Sequence, residues 1–345
     1  MNQTDNIIEV YNLKKYFPLR ESFLDNLLSR ERQYVRAVDG VSFSIRRGEV
    51  FGLVGESGSG KTTVGRLVLR LEEPTEGEIL MDGVNLGQLG DKELRRERRR
   101  MQAIFQDPFA SLNPRMTIGD GIGHGVRIHL IQDMIASGEI NRGEVNTKVR
   151  AIVEDMMERV GLTPAGFLYD KFPHQLSGGQ RQRAVIARAL ITTPELVLAD
   201  EPIAMADVSV RVLLLDLMIR LQREFNLTYL YITHDLATAK YICERIAIMY
   251  LGRIVEIGAL PKVYGKPLHP YTQALLEAVP VPDPEFRRQA PMPKGEIPDA
   301  INPPSGCRFH PRCPIARENC AADEPELREL EPGHFVACHY SEQFL

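Results

Sequence analysis

Hydrophobic and polar positions along the chain fall into two alternating textures, short apolar runs and stretches with helical spacing. Residues 7–13 and 41–54 read as strands, the second (VSFSIRRGEVFGLV) passing from strict alternation into a nearly continuous apolar run that ends in glycines. ELVLAD (195–200) and LTYLYIT (227–233) have the uniform apolarity of strands buried on both faces. Between them, 61–71, 147–160, 180–191 and 209–224 carry apolar residues at helical spacing. Strands alternating with helices predict an α/β fold with a mainly parallel sheet, whose ligands gather at the carboxyl ends of the strands. From about residue 258 prolines become dense (PVPDP, PMPKGEIP, NPPSG), which predicts a second, smaller module over 258–345 behind a first domain of 1–257. No internal repeat or heptad run is visible.

Composition narrows the class. The 345 residues are 43% hydrophobic and 26% charged, values of a folded globular chain. A formal charge of −4 argues against a surface built throughout for nucleic-acid phosphates. No apolar run reaches the roughly 18 residues of a membrane span, and MNQTDNIIEV has neither the basic nor the apolar region of a secretory signal, so a cytoplasmic, reducing compartment is expected. ELRRERRRM packs five arginines into six positions, a pattern read as a solvated helix face in preference to a nucleic-acid or lipid site. Phe23, Leu24, Leu27 and Leu28, in an insertion at 18–34, are spaced as one face of a short amphipathic helix. Four of the five cysteines lie in the last 39 residues, with spacing C-x5-C-x6-C-x17-C. In a reducing compartment such crowding points to metal more than to disulfides, although the usual C-x2-C knuckle is missing.

The chemistry concentrates in three segments. GESGSGKTT, comprising Gly55, Glu56, Ser57, Gly58, Ser59, Gly60, Lys61, Thr62 and Thr63, fits G-x-x-x-x-G-K-[ST] between a buried strand and a helix. Its glycines let backbone N–H groups surround phosphate oxygens, Lys61 supplies a point charge for the outer phosphates, and the Thr62 hydroxyl can ligate Mg²⁺. Asp200 ends the apolar strand ELVLAD, where it can hold Mg²⁺ through water, and Glu201 beside it suits a general base or a water-positioning group. LSGGQ, with Ser177, Gly178, Gly179 and Gln180, opens the helix RQRAVIARAL and offers donors at a helix start.

In this order, these motifs resemble the ATP-binding-cassette (ABC) ATPases. The resemblance implies a P-loop NTPase fold, with a RecA-like core, an antiparallel β subdomain and a helical subdomain at about 108–171. It also implies a head-to-tail dimer in which the LSGGQ loop of one subunit covers the γ-phosphate of the other. Residue by residue, Gln106 matches the glutamine that reports Mg²⁺ and substrate occupancy. His234 matches the histidine on the γ-phosphate, and Phe17, or else Tyr16, the aromatic on adenine. Asp207 matches the aspartate of a loop that usually reads S-A-L-D, but here that loop reads Ala204, Met205, Ala206, Asp207, which puts coupling between the two sites in question.

LHPYTQALLEAVP, GCRFHPRCPIARENC and VACHY further resemble the tail of ATPases serving oligopeptide and dipeptide permeases, and the intact LSGGQRQR the second of two paired ATPases in such systems. The resemblance implies ATP hydrolysis coupled to uptake of di- or oligopeptides, or of related solutes such as oligosaccharides or nickel. The implied partners are a second ATPase (a paralogue or a second copy), two transmembrane permeases and an extracytoplasmic solute-binding protein, with the chain on the cytoplasmic face of the membrane. It also implies a 4Fe-4S cluster on Cys307, Cys313, Cys320 and Cys338. Zinc, metal-free thiols and a mixed set with His310 or His339 stay open on the residues themselves. Cys243, in an apolar helix-like stretch, reads as a buried structural residue. The rival reading is a soluble ABC ATPase acting on nucleic acid or ribosomes, which calls for tandem cassettes, a long coiled coil or a basic arm.

Overall fold

The computed structural model describes residues 5–19, 33–279, 296 and 298–345. The proposed amphipathic face with Phe23, Leu24, Leu27 and Leu28, and most of the proline-rich linker, lie outside them. Two compact units result, one of residues 1–88 and 230–345, the other of residues 89–229.

In the first unit, β1 (Asn6–Pro18), β2 (Tyr34–Arg46), β4 (Glu76–Met81) and β5 (Val84–Asn85) form a four-stranded antiparallel sheet in the order β2-β1-β4-β5. The run expected as one strand over 41–54 is two strands in different sheets. Gly48, at φ +78°, turns the chain between β2 and β3 (Val50–Val54). The charged stretch Arg46, Arg47, Gly48, Glu49 marks the turn, which Gly48 executes by taking a left-handed conformation.

All five residues of β3 are buried, as its continuous apolarity predicts. It pairs in parallel with β9 (Arg245–Tyr250), which pairs antiparallel with β10 (Arg253–Ala259). The sheet does not stop there. β12 (His334–Val336) adds antiparallel to β10, and β11 (Arg328–Glu331) to β12. The boundary expected at residue 257 thus falls inside β10, and the tail extends the sheet of the same unit. Completely buried Glu256 on β10 ties the tail in, accepting hydrogen bonds from the backbone N–H groups of Leu268 (2.8 Å) and His269 (3.0 Å) and lying 2.8 Å from His334 Nε2.

In the second unit, β6 (Met101–Ile104) and β7 (Leu196–Asp200) pair in parallel. Helices Val145–Arg159, Gly178–Leu190 and Val208–Phe225 match the helical spacing of the sequence to within two residues. The arginine-rich run is the helix Asp91–Arg100, with only Leu94 buried, and two of its arginines pair locally, Arg99 with Asp133 and Arg100 with Glu97 and Glu195. Within β8 (Thr228–Thr233), buried throughout, the chain returns to the first unit beside β3.

Candidate nucleotide site

In the first unit the phosphate loop follows β3 and delivers the helix Lys61–Val68. Two of its glycines are obligatory by contact. A Cβ on Gly55 would meet the Met249 carbonyl oxygen at 2.1 Å, and one on Gly60, which sits at φ +102°, the Ala37 carbonyl oxygen at 2.1 Å. Gly58, at φ +80°, meets nothing and is needed for its conformation alone. Lys61 is 5% exposed, and its ammonium donates to the carbonyls of Gly55 (2.7 Å) and Glu56 (2.8 Å), so a full positive charge is held against the loop. The helix has no side-chain N-cap and no acidic residue in its first turn, leaving the potential of its amino end uncancelled for an anion. Ser59 is buried, while Ser57, Gly58 and Thr62 face solvent. His234 follows β8 and is exposed, and Asp235 behind it caps the helix Leu236–Ile242 by accepting from the Ala237 N–H (2.9 Å).

Near the end of β1, Phe17 and Tyr16 are both half-buried. The Tyr16 hydroxyl donates to Asp39, and burial together with that bond raises the Tyr16 pKa to about 12. The ring of Phe17 carries the Lys15 ammonium 4.9 Å from its centre.

In the second unit, the β6–β7 register sets the remaining pair. Ile104 lies opposite Ala199, so two residues further along each parallel strand come Gln106 and Glu201. The Gln106 amide donates to a Glu201 carboxylate oxygen at 3.1 Å. Asp200 is 5% exposed at the end of β7, and Glu201 adopts a left-handed φ of 47°, uncommon for a side-chain-bearing residue. Ser177 caps the helix Gly178–Leu190 in a reciprocal pair: its hydroxyl oxygen accepts from the Gln180 N–H (3.3 Å), and its own N–H donates to Gln180 Oε1 (2.9 Å). Gly178 is exposed and Gly179 half-buried. In the altered loop Met205 is 62% exposed, and Asp207 begins the helix Val208–Phe225 without a side-chain cap.

Residues 38–204 match the ABC transporter family, and residues 255–320 the C-terminal region of oligopeptide/dipeptide transporters. The oligopeptide transport ATP-binding protein AppF of Bacillus subtilis is 47% identical over 338 residues, which is 97% of each chain. This chain belongs to the ABC transporter ATP-binding family, in its oligopeptide/dipeptide branch. A putative peptide import ATP-binding protein of Brucella ovis is 46% identical over 96% of this chain and 97% of its own. Among solved structures, the ABC cassette MJ0796 in a dimeric post-hydrolysis state with ADP and Pi is 28% identical at a TM-score of 0.60, covering 73% of this chain and 98% of that one. CbiO1 of Clostridium perfringens is 25% identical at a TM-score of 0.61, covering 76% and 92%. The family is one of ATP-binding ATPases, and the nucleic-acid alternative finds no support among these relatives.

Cys307, Cys313, Cys320 and Cys338 line one cavity with Phe309, His310, His339 and Tyr340. Burial, reinforced by the neighbouring thiols, raises the Cys307 pKa to about 12 and that of Cys338 to about 11. Even so, no group of three or more His, Cys, Asp or Glu is set to hold a metal ion among the described residues. The ring nitrogens of His310 (Nδ1) and His339 (Nε2) lie 2.9 Å from the carbonyls of Cys307 and Asp323. Cys243 is buried, its sulfur packed where a Cβ on Gly52 would come within 2.8 Å, and burial raises its pKa.

Pattern reading missed Asp39, Glu56 as an ion-pair partner, and Tyr250, Tyr271, Arg308 and Arg312. The one available signal was CRFHPRC, two arginines bracketed by cysteines.

Proposed function

We propose that the chain is the ATP-hydrolysing subunit of an importer of di- or oligopeptides, working on the cytoplasmic face of a membrane through partner permeases. The observation that carries the reading is the phosphate loop, where a buried lysine and an uncapped helix start sit in a chain whose tail matches oligopeptide/dipeptide transporters over 255–320. Among the described residues no helix is long and apolar enough to cross a membrane, so the permeases supply the passage. Relatives named for oligopeptide transport and peptide import support the cargo class.

In this reading the N–H groups of residues 57–63 and the Lys61 ammonium neutralise the outer phosphates of ATP. Thr62, and separately Asp200 and Gln106, offer hard oxygen atoms of the kind that would hold Mg²⁺, which would supply charge neutralisation to the phosphates. Glu201, held by Gln106, aligns the attacking water and takes its proton. His234 donates to the γ-phosphate, and Phe17 or Tyr16 stacks on adenine. Ser177, Gly178, Gly179 and Gln180 serve the nucleotide of a second ATPase, paralogue or copy, with Asp207 at the same interface. A solute-binding protein delivers the cargo. The four cysteines would hold a 4Fe-4S cluster, with zinc as the alternative. The cluster's thiolate bonds would pin the loops of the tail together.

The test is reconstitution: membrane co-fractionation with the permeases, and ATP-dependent peptide uptake into proteoliposomes stimulated by loaded binding protein. A wholly soluble pool whose ATPase responds to nucleic acid would overturn the proposal. Iron and sulfide analysis addresses the cluster, and stoichiometric zinc without iron would refute it.

A further inference from the structure

The seven residues Cys307–Cys313 carry two arginines, and each reaches out of the tail. Arg308 binds Asp39 and the Leu251 carbonyl. Arg312 forks onto Glu56 of the phosphate loop, with one nitrogen 3.0 Å from Oε2 and another 3.3 Å from Oε1, and the pair is shielded, Arg312 being 9% and Glu56 29% exposed in their side chains. Phe309 between them is 1% exposed and packs edge-on against Tyr250, with ring centres 5.3 Å apart, and against Tyr271 at 5.4 Å. Tyr271 closes the circuit, since its hydroxyl accepts from the Glu56 N–H at 3.0 Å. Glu56 is therefore gripped at its side chain by Arg312 and at its backbone by Tyr271, both outside the nucleotide motifs. A cavity of about 220 Å³ is lined by Glu56, Ser57, Gly58 and Ser59 together with Pro298, Asp299 and Ala300 of the tail.

Glu56 immediately precedes the residues whose N–H groups face phosphate, and Lys61 is anchored on the Glu56 carbonyl. Fixing Glu56 at both ends thus fixes the carbonyl that aims the lysine and the starting point of the N–H cradle. A bidentate guanidinium–carboxylate pair suits this task because it restrains direction as well as distance. Arg312 also leaves its Nε buried without a partner, so its own hydrogen bonding is not at an optimum where it stands.

We propose that Cys307–Cys313 is a positioning loop for the phosphate site, with Arg312 the residue that sets nucleotide affinity by orienting Glu56. The inference rests on the loop at 55–63 being the nucleotide site, and the two are separable. Binding of a fluorescent ATP analogue to the full chain is measured for the parent protein, Arg312→Ala, Arg312→Lys, Glu56→Ala and the Arg312→Ala/Glu56→Ala double variant. A parent protein that binds no nucleotide overturns the functional reading. If it binds, Arg312→Ala is expected to weaken affinity about tenfold, equivalent to about 1.4 kcal/mol. Arg312→Lys should recover part of that loss, and the double variant should be no weaker than either single one. Steady-state ATPase should show a raised KM with kcat within about twofold, since ground-state binding alone is lost. Should Arg312→Ala fail to fold, Glu56→Ala reads the same pair from its more exposed side. Parent affinity in either single variant, strictly additive losses in the double, or a fall in kcat at constant KM would overturn the proposal.

Discussion

Replacing Asp39 by alanine should strongly destabilise the first unit. Asp39 is 4% exposed and serves three partners: it accepts from the Tyr16 hydroxyl, pairs with Arg308 and lies 3.5 Å from an Arg253 nitrogen. Arg308 is itself only 8% exposed, so the alanine variant leaves a buried guanidinium facing a hole, a loss of about 3–5 kcal/mol by the general cost of breaking a buried pair. Arg308→Ala leaves Asp39 with Tyr16 and Arg253, and should cost less, about 1.5–3 kcal/mol for a charge-assisted hydrogen bond. The double variant should fall short of the sum by at least about 1 kcal/mol. Burial pushes the Asp39 carboxyl up, but the Tyr16 bond and the two guanidinium groups outweigh it and hold its pKa below the ordinary value. This contribution is therefore complete above the unfolded carboxylate pKa and fades as pH falls below it. The chain has no tryptophan, so urea unfolding followed by far-UV circular dichroism is the assay, run at pH 7 and again on the acid side. A loss below about 1 kcal/mol for Asp39→Ala, or additive single losses, would refute the reasoning.

Other expectations follow from equally local contacts. His269 is buried, its Nδ1 accepts from the Tyr271 N–H at 3.0 Å, and burial, only partly offset by Glu256, lowers its pKa to about 4. The folded state thus refuses a proton that the unfolded chain accepts, so stability should fall as pH drops from about 6.5 towards about 4. His269→Asn, which keeps a capping acceptor, should flatten that slope in urea titrations. Gly60→Ala drives a Cβ into the Ala37 carbonyl and should abolish nucleotide binding, read by equilibrium dialysis, whereas Gly265→Ala, with open space around it and no left-handed backbone, should leave binding unchanged. Glu201→Gln should retain nucleotide and slow turnover by about 10²–10⁴-fold, the usual worth of a general base, and an unchanged steady-state rate would exclude that role.

Local signals were the legible ones. β3, β7 and β8 could be read because strands buried on both faces are apolar at every position, and the phosphate loop because a glycine-rich turn between such a strand and a helix has few other uses. The β2–β3 turn is marked by Arg46, Arg47, Gly48 and Glu49, a charged stretch around a glycine that reading 41–54 as one strand overlooked. Gln106 beside Glu201 could not be read from spacing: that contact depends on the register of β6 against β7, and the resemblance alone singled out Gln106. The Asp39–Arg308 and Glu56–Arg312 pairs join positions 269 and 256 residues apart. No periodicity connects such positions, and each arginine on its own looks like an ordinary surface charge.

The tail shows the same limit at the scale of a domain. Its prolines and cysteines read as an appended module, because composition reports how a segment is built and not what it is built onto. Yet without β12 the strand β10 would be a sheet edge, with unpaired N–H and C=O groups beside a buried carboxylate at Glu256. Such an edge with a buried charge is costly unless something covers it and donates to it. The Leu268 and His269 N–H groups and the His334 ring meet that carboxylate, and all three come from beyond residue 257. The tail therefore completes the unit that carries the phosphate loop, and a cut at residue 257 should leave the remaining chain aggregation-prone rather than a smaller working ATPase.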